Sequence, residues 1–184
     1  LSISISPKNK NFVLIDDKMV IGKSEPNIDG YDTLIFADRS IENAVIPSYI
    51  KYIEPYCFSC SKKLKTIEFE PDSQLVSIGK YAFSQTSINK ILIPKSVQNI
   101  GKNAFYSCLE LEFVLLPENP FFQVINKDMF YCTKIQEITI PKYVKEIKSS
   151  CFDKCIEKIN IPDDSELESI AEHVIDGCIK LKEF

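Results

Sequence analysis

The chain has 184 residues, of which 45% are hydrophobic and 26% are charged, and its formal net charge is −4. Such a composition is typical of a globular protein that buries a hydrophobic core. A nucleic-acid-binding surface needs clustered Lys and Arg, whereas here 22 basic residues are scattered among 26 acidic ones. No apolar run reaches about 18 residues. We therefore expect neither nucleic-acid binding nor membrane insertion of this fragment.

Residues 1–45 show no internal repeat. Apolar runs at residues 12–15 and 19–21 flank the polar segment 16–18, which is typical of a β-hairpin. Two further apolar runs, residues 34–36 and 44–46, predict additional strands. We expect an irregular N-terminal coil whose hairpin covers the first repeat.

From residue 46 onward, one phrase recurs about every 23 residues. The clearest copy, Ile93 to Val114, reads I-P-x-x-V-x-x-I-G-x-x-A-F-x-x-C-x-x-L-x-x-V. We take the first position of each copy as the start of a strand, and it falls at Ile46, Phe69, Ile93, Leu116, Ile140 and Ile161. A fixed period of this length predicts a solenoid, in which each coil buries its apolar face against its neighbours. We expect one domain over residues 1–184, with six repeats in residues 46–184.

Equivalent positions of successive copies form apolar ladders. The three main ladders are Ile53, Ile78, Ile100, Ile125, Ile147 and Ile170; Phe58, Phe83, Phe105, Phe130, Phe152 and Ile175; and Leu64, Ile88, Leu111, Ile135, Ile156 and Leu181. Segments such as residues 64–69 alternate apolar and polar positions and predict short parallel strands in one curved sheet. The stretch G-x-x-A-F-x-x-C predicts turns and single helical turns on the other side.

The copies alternate between two turn lengths. The short form is I-P-x-x-V, as at residues 140–144, and the long form carries P-D and two extra residues, as at residues 71–75 and 162–167. Pro and Asp favour the wider bend. The chain begins at Leu1 without a visible signal peptide and stops inside a coil without a polar cap. We expect a mature or trimmed fragment of a protein that continues beyond residue 184.

The phrase with Ile93-Pro94, Gly101, Ala104-Phe105 and Cys108 resembles the leucine-rich repeat of BspA-like surface proteins of anaerobic bacteria and parasitic protists. The likeness covers residues 46–184 in six copies, and it includes I-P, A-F and C at fixed offsets, which apolar ladders alone do not require. Thr86 replaces Cys in the second copy, and the fifth coil is shortened at Ile156. The resemblance implies a leucine-rich repeat solenoid at the cell surface that binds host or matrix proteins and has no catalytic activity. It assigns no binding residue.

The seven cysteines are interpreted as structural thiols. Cys57 and Cys60 have the C-x-x-C spacing of redox and zinc sites, but Cys57 fills the Ala position of its copy and no second pair of ligands follows. We expect both thiols to be reduced, metal-free and reactive only after unfolding. A disulfide between Cys155 and Cys178, one coil apart, is a less favoured alternative.

No cofactor or catalytic group is indicated. The single histidine, His173, is expected to be exposed and inert. The acidic residues at positions 163, 164, 166, 168 and 172 lack the spacing and central Gly of an EF-hand, so we interpret them as a solvated turn. With only five glycines, none clustered, there is no phosphate-binding loop.

The outward positions of the predicted strands hold the best candidate site. Most of them are polar, but Leu92, Phe113 and Leu115 are apolar and fall on neighbouring coils. Glu68, Lys90, Glu137 and Thr139 surround them. An apolar centre with a polar rim suits a protein partner, although single exposed apolar residues are also common.

The sequence thus predicts a non-enzymatic protein-binding module, at the cell surface or secreted, for adhesion to or recognition of host cell-surface or matrix proteins through its sheet face. The alternative is a cytoplasmic leucine-rich repeat scaffold or sensor, since reduced cysteines suit a reducing compartment.

Overall fold

The computed structural model describes residues 3–152, 156–175 and 178–182. It is an all-β stack of coils. The strands are β1 (Phe12–Ile15), β2 (Met19–Gly22), β3 (Thr33–Ala37), β4 (Asn43–Ile46), β5 (Tyr52–Ile53), β6 (Thr66–Phe69), β7 (Ser77–Ile78), β8 (Lys90–Leu92), β9 (Asn99–Ile100), β10 (Phe113–Leu115), β11 (Val124–Ile125), β12 (Glu137–Thr139), β13 (Glu146–Ile147), β14 (Lys158–Asn160) and β15 (Ser169–Ile170).

One face of the stack consists of the longer strands β4, β6, β8, β10, β12 and β14. They hydrogen-bond as three parallel pairs, β4 with β6, β8 with β10, and β12 with β14. Backbone bonds from Ser87 to Leu64 and from Lys134 to Leu111 join successive pairs. Along each strand the exposed and buried positions alternate, as expected for a sheet with one wet face. The first position of each repeat, such as Ile93, lies at the end of its strand or just after it, not at the start as expected.

A second set of parallel strands contains the ladder that runs from Ile53 to Ile170. The five-residue strand β3 and the two-residue strands after it pair in the order β3-β5-β7-β9, and further two-residue strands pair in the order β11-β13-β15. The N-terminal hairpin, β1 and β2, continues the first of these sheets antiparallel to β3, as the hairpin pattern predicted. Asp16 and Asp17 adopt φ of 51° and 54°, and the Lys18 amide donates to the Ile15 carbonyl over 3.1 Å. Two successive residues with positive φ are the turn type that matches the twist of a hairpin.

The third side of each coil is a run of turns, where single helical turns were expected. The described residues include no helix long or apolar enough to span a membrane. The residues two before and two after Phe58, Phe83, Phe105 and Phe130 have positive φ, as Asn103 and Ser107 do around Phe105. A left-handed residue interrupts a right-handed helix. The Phe105 amide donates instead to the Met129 carbonyl of the next coil. The amides of Phe58, Phe83 and Phe130 each donate in the same way to a carbonyl of the coil that follows.

The Phe ladder forms the centre of the core. Phe58, Phe83, Phe105, Phe130 and Phe152 are buried and stack face to face, with neighbouring ring centroids 5.1 to 6.4 Å apart. Such pairs contribute about 0.5–1.5 kcal/mol beyond the area they bury. The core is continuous from Met19 to Val174.

The ladders do not stay buried in the last coil. Ile170 is 39% exposed and Ile175 is 40% exposed, although the ladder pattern placed both in the core. Among the described residues, no further coil covers this side of them. Val174 is buried in place of Ile175. The apolar phrase therefore predicts burial only where a coil lies on both sides.

The turns that follow the longer strands occur in the two predicted lengths. In the short turns, the amides of Ile50, Val97 and Val144 each donate to a Pro carbonyl three residues earlier over 3.1 Å. The long turns, at residues 71–75, 117–122 and 162–167, also bond to the preceding coil, for example from the Gln74 amide to the Ser48 carbonyl and from Glu166 to Lys142. Both lengths lie at the same edge of the stack.

Gly101 allows close approach between coils, which leads to a stability prediction. A Cβ atom there would lie 2.5 Å from the Lys80 backbone nitrogen, and one at Gly79 would lie 2.4 Å from that of Pro55. Backbone cannot move aside as a flexible side chain can. We expect Gly101→Ala to destabilise the chain by about 1–3 kcal/mol, measured by urea unfolding. Because Gly30 has φ of 84° but no neighbouring atom within 4 Å, Gly30→Ala separates backbone strain from overlap, and an equal loss in both variants would contradict the overlap.

Candidate protein-binding surface

Three apolar side chains form a continuous patch on the sheet face. Leu92 lies directly opposite Leu115, and Lys90 opposite Phe113, in the parallel β8–β10 pair. The exposed fractions of Leu92, Phe113 and Leu115 are 53%, 50% and 55%. We call these three residues the apolar patch. They point outward because the alternate residues of the same strands, Ile91 and Val114, point into the core.

Polar side chains surround the apolar patch. Glu68 on β6, Lys90 on β8, and Glu137 and Thr139 on β12 are all exposed, and together they are called the polar rim. Glu137 accepts a hydrogen bond from Asn160 Nδ2 over 2.7 Å, and the same nitrogen lies 3.4 Å from Thr139 Oγ1. All seven residues singled out from the sequence therefore lie exposed on one face.

The sheet face is hollowed beside the apolar patch. A groove of about 720 Å³ runs from β10 across β12 to the last coil. Phe113 and Leu115 contribute apolar surface, and Glu137 and Thr139 of the polar rim also line the groove. The remaining lining includes Glu112, Glu118, Lys134 and Lys180, none of which the outward-facing pattern singled out. We call this hollow the sheet-face groove.

An exposed aromatic residue, Phe121, was missed by the sequence reasoning. It is 66% exposed on the long turn beside the sheet, whereas its neighbour Phe122 is buried. Asn119 fixes this turn: its Oδ1 accepts from the amides of Phe121 and Phe122, and its Nδ2 donates to the carbonyls of Lys95 and Val97 over 2.7 Å. The signal in the sequence was the Asn-Pro before two Phe residues.

The cysteines divide into buried and exposed thiols. Cys57, Cys108 and Cys151 are buried, and desolvation raises the pKa of all three, to about 11 for Cys108. Cys60 is exposed, so burial does not shield it from reagents in the native protein, contrary to the expectation. The turn places Ser61, not Cys60, in the core slot.

The slot at the Cys position of the repeat requires a small hydrogen-bond donor. Thr86 and Thr133 are buried there and donate to the carbonyls of Phe83 and Phe130 over 2.9 Å. Cys108 Sγ, one coil further on, lies 3.0 Å from the same Phe83 carbonyl oxygen that accepts from Thr86. A buried carbonyl is costly without a partner, which explains why Thr substitutes for Cys. Cys155, and with it the alternative disulfide to Cys178, lies outside the described residues.

Thiol accessibility gives a direct test of this division. We expect iodoacetamide to label Cys60 in the native protein within minutes, and Cys57, Cys108 and Cys151 only after denaturation. The thiolate is the reactive form, and burial both disfavours it and blocks access. Mass-spectrometric mapping of the alkylated peptides measures the order of labelling. Native labelling of Cys57 as fast as Cys60 would contradict the buried position.

No metal centre is indicated in the described ranges. They hold no group of three or more His, Cys, Asp and Glu side chains that converge. His173 is exposed. In the acidic run, Asp164 pairs with Lys142 over 2.9 Å and Glu168 with Lys145 over 3.1 Å. The hydrogen bond from Lys142 lowers the pKa of Asp164. This run therefore pairs with lysines of the preceding coil.

Stacked coils, parallel strands on one face and an exposed apolar patch define a leucine-rich repeat solenoid. The sequence model of the BspA type leucine-rich repeat region matches residues 32–157 with six copies. The chain belongs to this family. No curated protein matches it.

Solved structures share the fold. A leucine-rich repeat protein from T. pallidum is 23% identical over 94% of this chain and 87% of its own, with a TM-score of 0.73. One from Bacteroides ovatus ATCC 8483 is 20% identical, with 88% and 56% covered and a TM-score of 0.60. A leucine-rich cell surface protein from Faecalibacterium prausnitzii A2-165 is 23% identical, with 95% and 39% covered and a TM-score of 0.60. The chain thus spans little more than half of the Bacteroides protein, and none of the three is described as an enzyme.

Proposed function

We propose that the chain is a non-enzymatic binding module displayed at the cell surface, which recognises a host cell-surface or matrix protein through its sheet face. The observation that carries the proposal is the apolar patch. Three large side chains about half exposed on adjacent strands lie outside the core, which the inward residues of the same strands fill. Exposed apolar surface with a polar rim is what protein interfaces bury.

The surface location rests on similarity. The F. prausnitzii structure with the same fold is described as a cell surface protein. Membership of the BspA type repeat family supports a role in protein interaction. The six-copy stack also supplies a rigid platform, because each coil is fixed by its neighbours.

The buried free thiols support the alternative, an intracellular scaffold or sensor. Cys57, Cys108 and Cys151 are buried without a disulfide. Buried free thiols are common in reducing compartments. They are also compatible with a secreted chain, since burial protects them from oxidation.

A pull-down distinguishes the two. The immobilised chain is incubated separately with cell-surface, extracellular-matrix and cytosolic extracts, and bound proteins are identified by mass spectrometry. We expect specific capture from the surface or matrix extracts, lost when the apolar patch carries a charge. Capture confined to the cytosolic extract would favour the scaffold or sensor. Equal capture by the unmodified chain and by a variant with a charge in the apolar patch would place the binding site elsewhere.

A further inference from the structure

The sheet-face groove carries an excess of acidic side chains. Glu112, Glu118 and Glu137 line it together with two lysines, Lys134 and Lys180. Lys134 is already engaged, because its Nζ lies 2.6 Å from Glu110 Oε2. The chain as a whole is also acidic, with a net charge of −4. With Lys134 held by Glu110, three carboxylates share the groove lining with one other lysine, Lys180, so the lining beside Phe113 and Leu115 is negative overall.

The carboxylates of the groove lie close in sequence to the apolar patch, so a partner that covers the patch would also contact them. Glu112 precedes Phe113 directly in the chain, and Glu118 follows Leu115 by three residues. Both are exposed, and neither forms an ion pair with another described residue. Glu137 accepts a hydrogen bond from Asn160, which orients it within the polar rim. A partner that covered Phe113 and Leu115 would take water from these carboxylates, and unpaired buried charge is costly. The partner must therefore supply positive charge.

We propose that the sheet-face groove takes an extended segment of a protein ligand in which Lys or Arg lies next to an aromatic or branched aliphatic residue. The apolar side chain packs on Phe113 and Leu115, and the cation pairs with Glu112 and Glu118. The volume of about 720 Å³ fits a few side chains rather than a folded domain. Arg also stacks on an exposed aromatic ring such as that of Phe113. This inference rests on the proposed function and specifies the chemistry of the ligand.

A peptide selection tests the inference without a known ligand. A phage-displayed library of random dodecapeptides is panned on the immobilised chain and counter-selected on Leu115→Asp. We expect the surviving peptides to carry Lys or Arg within two positions of an aromatic or aliphatic residue. Their affinity should fall at least about tenfold in Glu112→Gln/Glu118→Gln, because that variant removes both free carboxylates. It should also fall as salt is raised.

The control is Glu25→Gln/Glu172→Gln, which changes the net charge equally at exposed positions outside the groove lining. We expect this control to bind like the unmodified chain. Peptides that depend on Leu115 but are neutral or acidic, and bind the Glu112→Gln/Glu118→Gln variant equally well, would overturn the inference and leave the proposed function intact. A selection that yields no Leu115-dependent peptides would count against both.

Discussion

The substitution Phe105→Asp is expected to unfold the chain. Phe105 is fully buried between the rings of Phe83 and Phe130, at 5.5 and 5.6 Å. Loss of a buried Phe side chain alone costs about 3–5 kcal/mol, and the carboxylate would face two rings with no cation to pair with. Since domains are stable by only about 5–15 kcal/mol, the variant should lack a cooperative thermal transition in circular dichroism.

The matched control is Phe105→Leu, which keeps the ladder apolar and removes only the stacking and part of the volume. It should remain folded with a loss on the order of 1–2 kcal/mol. A Phe105→Asp protein that melts cooperatively near the unmodified midpoint would show that the Phe ladder contributes little to stability.

The substitution Leu115→Asp should weaken partner binding strongly and leave the fold intact. The Leu115 side chain is 55% exposed, so the new carboxylate stays in water, and the free energy of unfolding should change by less than about 1 kcal/mol. At the interface the same charge is desolvated next to Glu112 and Glu137. Central interface residues often contribute 2 kcal/mol or more, so we expect binding to weaken by about 30-fold or more. Phe113→Glu should behave in the same way.

Val45→Asp is the matched control for Leu115→Asp. Val45 is a 46% exposed apolar residue in the same outward row, but it lies on β4 and does not line the groove. Surface plasmon resonance on the captured partner, with unfolding curves for each variant, separates binding from stability. If Leu115→Asp unfolded as Phe105→Asp does, the outward orientation of β10 would be wrong. Equal weakening by Val45→Asp would extend the binding surface far beyond the apolar patch.

Much of the fold follows from the repeat. Identical residues at fixed offsets, such as Phe83 and Phe105, have to stack one above another in any regular coil, so the ladders and the continuous core were predictable. The outward direction of Leu92 and Leu115 followed from alternation along a strand. These features depend only on period and polarity, which a single sequence displays directly.

Features that depend on local backbone geometry were not predictable. Tyr56 and Ser107 have positive φ, although Gly, Asn and Asp are the residue types that usually adopt it. The sequence therefore predicted helical turns where the structure has consecutive tight turns. The same geometry exposes Cys60 and buries Ser61. The second set of parallel strands arises from hydrogen bonds between coils, which leave no pattern in two-residue segments. The groove depends on the shape of the whole stack, and its carboxylates Glu112 and Glu118 lie outside the strands.

The two turn lengths at one edge of the stack show that the turns can change in length although the strands cannot. A one-residue insertion within a strand would turn every outward side chain beyond it inward. The long turns, in contrast, contain two extra residues although the turns of the adjacent coils are short. One of these turns supplies Glu118 to the groove and holds Phe121 in the solvent. Exchanging one of these turns would therefore alter the rim of the groove and leave the buried ladders unchanged.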